Sequence, residues 1–430
     1  MPEFLPVKGT RDFPPEYAIL RERVISILKE CFQIFSYDPI ITPIVENFEL
    51  YRGKSGEEIE KKLIWRFKLP YSDREYALRP ELTPSLVRFY SRFRPRLPFK
   101  RYEIGRVYRY DDPQKGRYRE FWQADFDVIG GRAPEADAEV LNLVIFALKR
   151  LGFKNFVLRV NSRILLREIF ENFFKIEEEK VLKVYREIDK LDKLGKQKVL
   201  ENLAGILKKE KAEKIVKLFD YSFDEIKEKF DEEKIGKEIK NLEDIFDLVE
   251  DKDKIRFDLS LVRGLDYYTG FVFEAWLEGF NRSVAGGGRY DNLIELFTGK
   301  KTLCVGGCLG IEPLIDVGLE KGIFNLDRKT YAEIAVVYVR EEFLKDAFSL
   351  ANLLRENNFK VYLDLGKNNF QEQMMRAVEK GIEYAIIVGE KEKKEGKYTL
   401  QNLKTKERAM YSLEEILEML KGIDGVTGQF

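Results

Sequence analysis

The chain contains no histidine among its 430 residues. This absence excludes catalysis in which a histidine activates a serine or cysteine nucleophile, and it removes the commonest metal ligand in proteins. Any chemistry must then depend on arginine, carboxylates, backbone groups and a hard cation such as Mg²⁺, which prefers oxygen ligands.

Cysteines and long apolar segments are also scarce. The three cysteines, Cys31, Cys304 and Cys308, are odd in number and form no CxxC pair, which is typical of reduced thiols. We expect Cys304 and Cys308 to be core residues, because a set of metal-binding partners is missing. No apolar run approaches a membrane span, and the first residues lack the apolar centre of a signal peptide. These features predict a cytoplasmic protein without a membrane partner.

The chain has no net charge, because 75 lysines and arginines balance 75 acidic residues. Its length, with 44% hydrophobic and 35% charged residues, predicts a globular protein of two or three domains. In a neutral chain, binding of a polyanion has to be local. Residues 86–119 have the required charge, with 11 basic residues, three acidic residues and eight phenylalanines or tyrosines, a net of +8.

This basic segment continues into a predicted hairpin. Its arms, Tyr102–Tyr110 and Glu120–Ile129, flank a turn that contains Pro113 and Gly116. Guanidinium groups bind phosphate oxygens through two hydrogen bonds, and aromatic faces accept stacked rings. The hairpin therefore fits a site for phosphates and nucleotide bases, with a solvated hairpin that binds no ligand as the alternative.

Apolar periodicity predicts a helix over residues 16–35, and a β-rich stretch follows at Ile40–Ile44. Farther along, Thr83 and Pro84 have the residue types of a helix N-cap and first turn. Thr83 also follows a strand end that faces a potential pocket, so capping and ligand binding are both open for its hydroxyl.

The composition and the predicted secondary structure change in the second half of the chain. Residues 163–250 form a predicted helical insertion rich in lysine and glutamate, with Asn161 as a preceding helix cap. Residues 331–430 alternate strand and helix patterns, which predicts a separate small α/β domain whose last helix is capped by Ser412 and Glu415.

Two further segments have residues suited to chemistry. Arg263 lies in an apolar strand context, where an unpaired charge is costly, so it should bind an anion. Tyr267 and Tyr268 would present hydroxyls on opposite faces of the same strand, with a core tyrosine pair as the alternative. The glycines at 286–288 predict a close approach of the backbone to a ligand.

Specific patterns occur along the chain, namely KGTRDF, YRYDDPQKGRYREFWQADFDVIG, RGLDYYTG and GGGRYD, followed by the α/β domain. Together they resemble the histidyl-tRNA synthetases, a family of class II aminoacyl-tRNA synthetases, over essentially the whole chain. The resemblance implies an α+β fold with a catalytic domain at 1–325, built on a mostly antiparallel sheet flanked by helices, and an anticodon-binding domain at 331–430. It also implies a homodimer formed partly by the first helix and the strand near Pro43.

The implied reaction is the ligation of histidine to tRNA(His), in which ATP, with Mg²⁺, first converts histidine to histidyl-adenylate. The residues implied to bind ATP are Arg109 and Arg263 as catalytic cations at the α-phosphate, Asp111 at the adenine amino group and Phe121 beneath the ring. Those implied to hold the α-amino group of histidine are Glu81, Thr83 and Gln123. Those implied around the imidazole are Asp127, Tyr268, Tyr267 and Tyr290. Those implied at the acceptor end of tRNA are Gln114, Lys115 and Arg117.

One position departs from the family pattern. Class II enzymes carry an arginine at the end of their third motif, where it covers the adenine, and this chain has Pro313 there. A proline in the first turn of a helix is also structurally favourable. The departure leaves an alternative open: a non-catalytic relative that binds histidine and regulates another enzyme, like the regulatory subunit of ATP phosphoribosyltransferase.

Overall fold

The computed structural model describes residues 4–52, 62–113, 117–230, 233–262, 268–366 and 368–421. These residues form two compact units. The first contains Arg23–Phe324 and the N-terminal residues up to Asp12, and the second contains Phe13–Glu22 and the chain from Asn325 onward.

The described part of the first unit is rich in short strands. They are β1 (Asp38–Pro39), β2 (Val45–Asn47), β3 (Trp65–Lys68), β4 (Glu75–Leu78), β5 (Phe99–Tyr108), β6 (Glu120–Ile129), β7 (Phe156–Ser162), β8 (Ile255–Phe257), β9 (Phe271–Leu277), β10 (Ser283–Arg289) and β11 (Cys304–Gly310).

Eight of these strands form one mostly antiparallel sheet in the order β1-β5-β6-β11-β10-β9-β7-β8. The two outermost pairs, β1 with β5 and β7 with β8, are parallel. Strands β5 and β6 are antiparallel over their whole length, from Phe99 opposite Ile129 to Tyr108 opposite Glu120. The predicted hairpin is therefore confirmed, and it lies inside the sheet, between β1 and β11.

Helices lie before, between and after these strands in the sequence, and the first of them is divided between the two units. They are α1 (Pro15–Ile34), α2 (Thr83–Phe93), α3 (Glu135–Arg150), α4 (Arg163–Arg167), α5 (Glu178–Ile188), α6 (Leu191–Ala204), α7 (Lys209–Leu218), α8 (Phe223–Lys229), α9 (Glu233–Asp247), α10 (Glu295–Thr298) and α11 (Ile311–Glu320). The predicted apolar stripe of α1 is confirmed, because Val24, Leu28, Cys31 and Phe32 are fully buried.

The segment predicted as a helical insertion contains α4 to α9. Its first helix is capped by Ser162, whose hydroxyl accepts hydrogen bonds from the backbone N–H groups of Ile164 and Leu165. The prediction of Asn161 as the cap was wrong. Asn161 lies within β7, where its side-chain amide donates to the backbone carbonyls of Leu259 and Leu261.

The β-rich stretch predicted at Ile40–Ile44 was also wrong. These residues connect β1 to a second sheet of three strands, ordered β2-β4-β3. The side chain and the backbone N–H of Thr42 both donate to the buried carboxylate of Glu103. This polar anchor holds the connection against β5.

The second unit is a five-stranded sheet with helices on both faces. Its elements are β12 (Ile334–Tyr338), α12 (Leu344–Glu356), β13 (Val361–Leu363), α13 (Phe370–Glu379), β14 (Tyr384–Val388), α14 (Glu390–Glu395), β15 (Tyr398–Asn402), β16 (Arg408–Tyr411) and α15 (Leu413–Lys421). The strand order is β13-β12-β14-β15-β16, with the first three parallel. The predicted cap of the last helix is confirmed by hydrogen bonds between Ser412 and Glu415. Among the helices described in either unit, none has the length and apolar character of a membrane span.

Candidate active site

A polar cavity of about 220 Å³ opens on one face of the large sheet. The residues that line it are Glu81, Thr83, Arg109, Gln123, Asp125, Asp127, Tyr268, Ser283, Val284, Ala285, Gly286, Tyr290, Gly306, Gly307, Cys308, Gly310 and Pro313. Seven of these residues were predicted for the site. They come from segments that are far apart in the chain, so the sheet brings them together.

The floor of the cavity follows from the two-residue repeat of a strand. Gln123, Asp125 and Asp127 alternate along β6 and therefore share one face of the sheet. The neighbouring β11 places a glycine, Gly306, opposite Asp127. A Cβ atom at Gly306 would lie 2.1 Å from the Asp127 carboxylate, so this glycine provides the room for the acid.

Asp127 is fixed by two buried partners. One carboxylate oxygen accepts a hydrogen bond from the hydroxyl of Tyr290, and the other lies 2.5 Å from the guanidinium of Arg101. The contact with Arg101 has the distance of an ion pair but not the angle of a hydrogen bond. Burial raises the pKa of Asp127 above its usual value, while Arg101 and Tyr290 act in the opposite direction. Arg101 is fully buried, and its role as the partner of Asp127 was not predicted from the sequence.

One wall of the cavity is formed at the junction of β4 and α2. The N-cap position of α2 is Leu82, so the predicted capping role of Thr83 was wrong and Thr83 begins the helix. Beside it, the Arg109 side chain donates from Nε to the Pro80 carbonyl at 2.9 Å. Burial raises the pKa of Glu81, and the positive charge of Arg109 opposes this shift.

Two residues of the cavity floor, Asp125 and Cys308, were not predicted from the sequence. Asp125 on β6 lies directly opposite Cys308 on β11, and the Gln123 amide donates to the Cys308 sulfur at 3.2 Å. Burial raises the pKa of Asp125 to about 7. The alternation Gln-Ala-Asp-Phe-Asp along β6 was the available signal, since it places three polar side chains on one face. Cys304 is buried as predicted, but Cys308 is half-buried and lines the cavity, so its prediction as a core residue was wrong.

The glycine run of β10 serves packing as well as access. Gly286 lines the cavity, as predicted for a backbone that approaches a ligand. Gly287 is needed for the packing of two strands, because a Cβ atom there would lie 2.1 Å from the carbonyl oxygen of Gly306 on β11. The expectation that all three glycines serve a ligand was therefore wrong for Gly287.

Some predicted site residues do not line this cavity. The Asp111 carboxylate forms an ion pair with Arg117 at 3.0 Å, and the Phe121 ring lies 5.4 Å from the Arg109 guanidinium. Tyr268 does line the cavity, but it precedes β9 and is not in a strand, contrary to the prediction. Four further predicted residues lie outside the described residues, namely Gln114, Lys115, Arg263 and Tyr267.

The described residues form no group of three potential metal ligands. Mg²⁺ in nucleotide sites is bound largely by phosphate oxygens and water, with one or two protein carboxylates. The cavity's own carboxylates are compatible with that mode but do not form a cage.

The antiparallel sheet with its polar cavity, together with a separate five-stranded α/β unit, defines a class II aminoacyl-tRNA synthetase. Residues 9–314 match the family model of histidyl-tRNA synthetase, and residues 333–423 match the anticodon-binding domain. The chain belongs to the histidyl-tRNA synthetase family.

Individual relatives agree along nearly the whole chain. The chain is 50% identical to a histidine–tRNA ligase of Nanoarchaeum equitans, covering 96% of this chain and 98% of the relative. It is 42% identical to the corresponding ligase of Aeropyrum pernix, covering 97% of both. Among solved structures, histidyl-tRNA synthetase from Nostoc sp. PCC 7120 has a TM-score of 0.86 at 26% identity and covers 97% of this chain and 99% of its own. The full-length matches favour the ligase and give no support to the regulatory alternative.

Proposed function

We propose that this chain ligates histidine to tRNA(His) in two steps. Histidine and ATP first give histidyl-adenylate and pyrophosphate, and the histidyl group then passes to the terminal adenosine of the tRNA with release of AMP. The observation that supports this proposal is the cavity, which is lined by the cation of Arg109 and by the carboxylates of Glu81, Asp125 and Asp127. A zwitterionic amino acid and a phosphate require those two signs of charge in one place.

The histidine substrate is held by groups on three sides. Glu81, Thr83 and Gln123 bind the α-amino group, and Asp127 and Tyr268 bind the imidazole nitrogens. Tyr290 keeps Asp127 in place through its hydroxyl, and Tyr267 forms a further wall of the pocket. A partner on each ring nitrogen rejects side chains of similar size, because an unpaired buried polar group is costly.

Activation needs fixed positive charge where the carboxylate attacks the α-phosphorus. Arg109 supplies it from the end of the hairpin, where its hydrogen bond to Pro80 holds the side chain, and Arg263 is its proposed second source. Asp111 and Phe121 take the adenine, and Mg²⁺ accompanies the ATP phosphates.

The tRNA is proposed to contact both units. Gln114, Lys115 and Arg117 of the hairpin loop bind the acceptor end, and the Arg117 side chain is exposed. The catalytic domain extends over 1–325, with the helical insertion at about 163–250, and the domain at 331–430 reads the anticodon.

A homodimer is part of the proposal, and the segment near Pro43 supports it. Ile41 is 93% exposed, and its neighbours Ile44 and Val45 are 40% and 45% exposed, which leaves a run of apolar side chains in water. We expect Ile41→Glu to sediment as a monomer under conditions in which the unchanged chain sediments as a dimer. Unchanged sedimentation of the variant would remove this segment from the interface. The assembled enzyme is placed in the cytoplasm.

Histidine-dependent exchange of pyrophosphate into ATP, followed by charging of tRNA(His), tests the proposed function. We expect exchange with histidine and with no other amino acid. Arg109→Ala should slow it by roughly 10² to 10³, the usual effect of losing one oriented charge. Arg106→Ala is the matched control, because Arg106 is exposed on the same hairpin. Absence of exchange in the unchanged chain would refute the proposal.

A further inference from the structure

Asp125 is a buried acid at the floor of the cavity, and none of the predicted site roles was given to it. It is 4% exposed and lies on β6 midway between Gln123 and Asp127. Its Oδ1 atom has no hydrogen-bond partner among the residues that the structure describes. A buried carboxylate oxygen without a partner is costly, so a ligand that donates to it is the expected partner.

The neighbouring acid differs in how its charge is offset. Oδ1 of Asp127 accepts a hydrogen bond from Tyr290, and its Oδ2, which likewise has no hydrogen bond among the described residues, lies 2.5 Å from the Arg101 guanidinium. For Glu81, the positive charge of Arg109 opposes the rise in pKa that burial causes. Arg101 also acts on Asp125, but its ion pair is with Asp127. Asp125 is therefore the carboxylate of the floor whose charge is left for a bound cation to neutralise.

Gln123 presents a second acceptor beside Asp125. Its amide N–H donates to the sulfur of Cys308, and its Oε1 atom is buried without a partner among the described residues. Cys308 lies directly opposite Asp125 across the pair of strands β6 and β11, which places its thiol next to the carboxyl group. The described contacts therefore use one N–H of the Gln123 amide and leave two buried oxygen atoms, Oε1 of Gln123 and Oδ1 of Asp125, without partners among the described residues.

We propose that Asp125 is a direct ligand of the substrate's α-ammonium group and that Cys308 is its positioning residue. The inference rests on the proposed function and adds Asp125 to the predicted amino-binding set. An ammonium group has three N–H donors and no acceptor. The predicted set of Glu81, Thr83 and Gln123, with Asp125 added, offers at least that many acceptor oxygens around the group, and Glu81 is near enough to Asp125 to raise its pKa. Loss of the ammonium contact therefore leaves a buried carboxylate unpaired.

Two ligands that differ only in the ammonium group can show whether Asp125 binds that group. Binding of L-histidine and of imidazole-lactate, in which a hydroxyl replaces the ammonium, is measured by calorimetry on the full chain without ATP. We expect Asp125→Asn to weaken L-histidine by about 10- to 100-fold, the range for a hydrogen bond to a charged group. Imidazole-lactate should change by less than about twofold, because it lacks the cation. Asp127→Asn is the matched control and should weaken both ligands by similar factors.

Equal weakening of both ligands by Asp125→Asn would overturn the proposal, because Asp125 would then act on the imidazole or only on the structure. Unchanged binding of L-histidine would overturn it as well. If Asp125→Asn does not fold, Cys308→Val gives the same test, with an expected three- to tenfold selective loss for L-histidine. An equal or absent effect of Cys308→Val would overturn the proposal. Failure of the unchanged chain to bind L-histidine would instead overturn the proposed function, and this inference with it.

Discussion

The ion pair between Arg101 and Asp127 allows a quantitative test of how the site is built. The two side chains are 0% and 4% exposed, and their charged atoms are 2.5 Å apart. At an effective dielectric constant of about 20, unit charges at this separation attract by roughly 7 kcal/mol. Several kcal/mol of desolvation per ion offset most of this attraction, so the pair is worth far less than its gross attraction. Removing one partner has a larger effect than the net value of the pair.

Arg101→Met leaves Asp127 as a buried carboxylate without its cation. We expect the free energy of unfolding to fall by about 3 to 5 kcal/mol near pH 8. Arg101 lowers the pKa of Asp127 against the effect of burial, so the variant should have a still higher pKa. A carboxyl whose folded pKa exceeds its unfolded value of about 3.9 stabilises the fold at low pH, and this contribution is lost as pH rises through the folded pKa. The deficit should therefore shrink as the pH is lowered from about 8 to about 5.

Urea unfolding followed by tryptophan fluorescence measures this deficit. The chain has three tryptophans, Trp65, Trp122 and Trp276, and all belong to the first unit, so the signal reports on the unit that contains the pair. Arg150→Met is the matched control, because its ion pair with Glu30 is about half exposed and should contribute less than about 1 kcal/mol. The double variant Arg101→Met/Asp127→Asn should recover part of the loss. A deficit of under about 1 kcal/mol that does not vary with pH would refute the reasoning.

Three further predictions concern the reaction. Arg263→Ala should leave histidine affinity unchanged and slow adenylate formation by roughly 10² to 10³ in single-turnover experiments, and an unchanged rate would remove Arg263 from the mechanism. Asp127→Ala should weaken histidine by about 1 to 3 kcal/mol at constant ATP affinity, as measured by calorimetry; equal loss of both ligands would make Asp127 a structural residue. Pro313→Arg, at the cavity wall in the first turn of α11, should tighten ATP by about 1 kcal/mol if the new cation stacks on adenine. No gain in equilibrium binding would show that another group already covers the ring.

Local patterns were sufficient where a residue's neighbours in sequence decide its environment. The hairpin arms, the first helix and the alternation of strands and helices after residue 331 were predicted from local periodicity and turn residues. The cap at Ser412 followed from a hydrogen bond that spans only three residues. Family resemblance added the identities of residues that periodicity does not single out, such as Glu81, which now lines the cavity.

The remaining features depend on which strands become neighbours. Arg101 reads as one more basic residue of a solvated hairpin until β5 and β6 pair and place it opposite Asp127. The polar group of Gln123, Asp125 and Cys308 exists because β6 and β11, about 180 residues apart, are adjacent in the sheet. Gly306 and Gly287 show the same dependence, since each is needed only for the close approach of an atom from another strand. The sequence by itself determined the elements and the family, whereas long-range strand pairing decided which charges are buried together and which oxygen atoms remain available to a ligand.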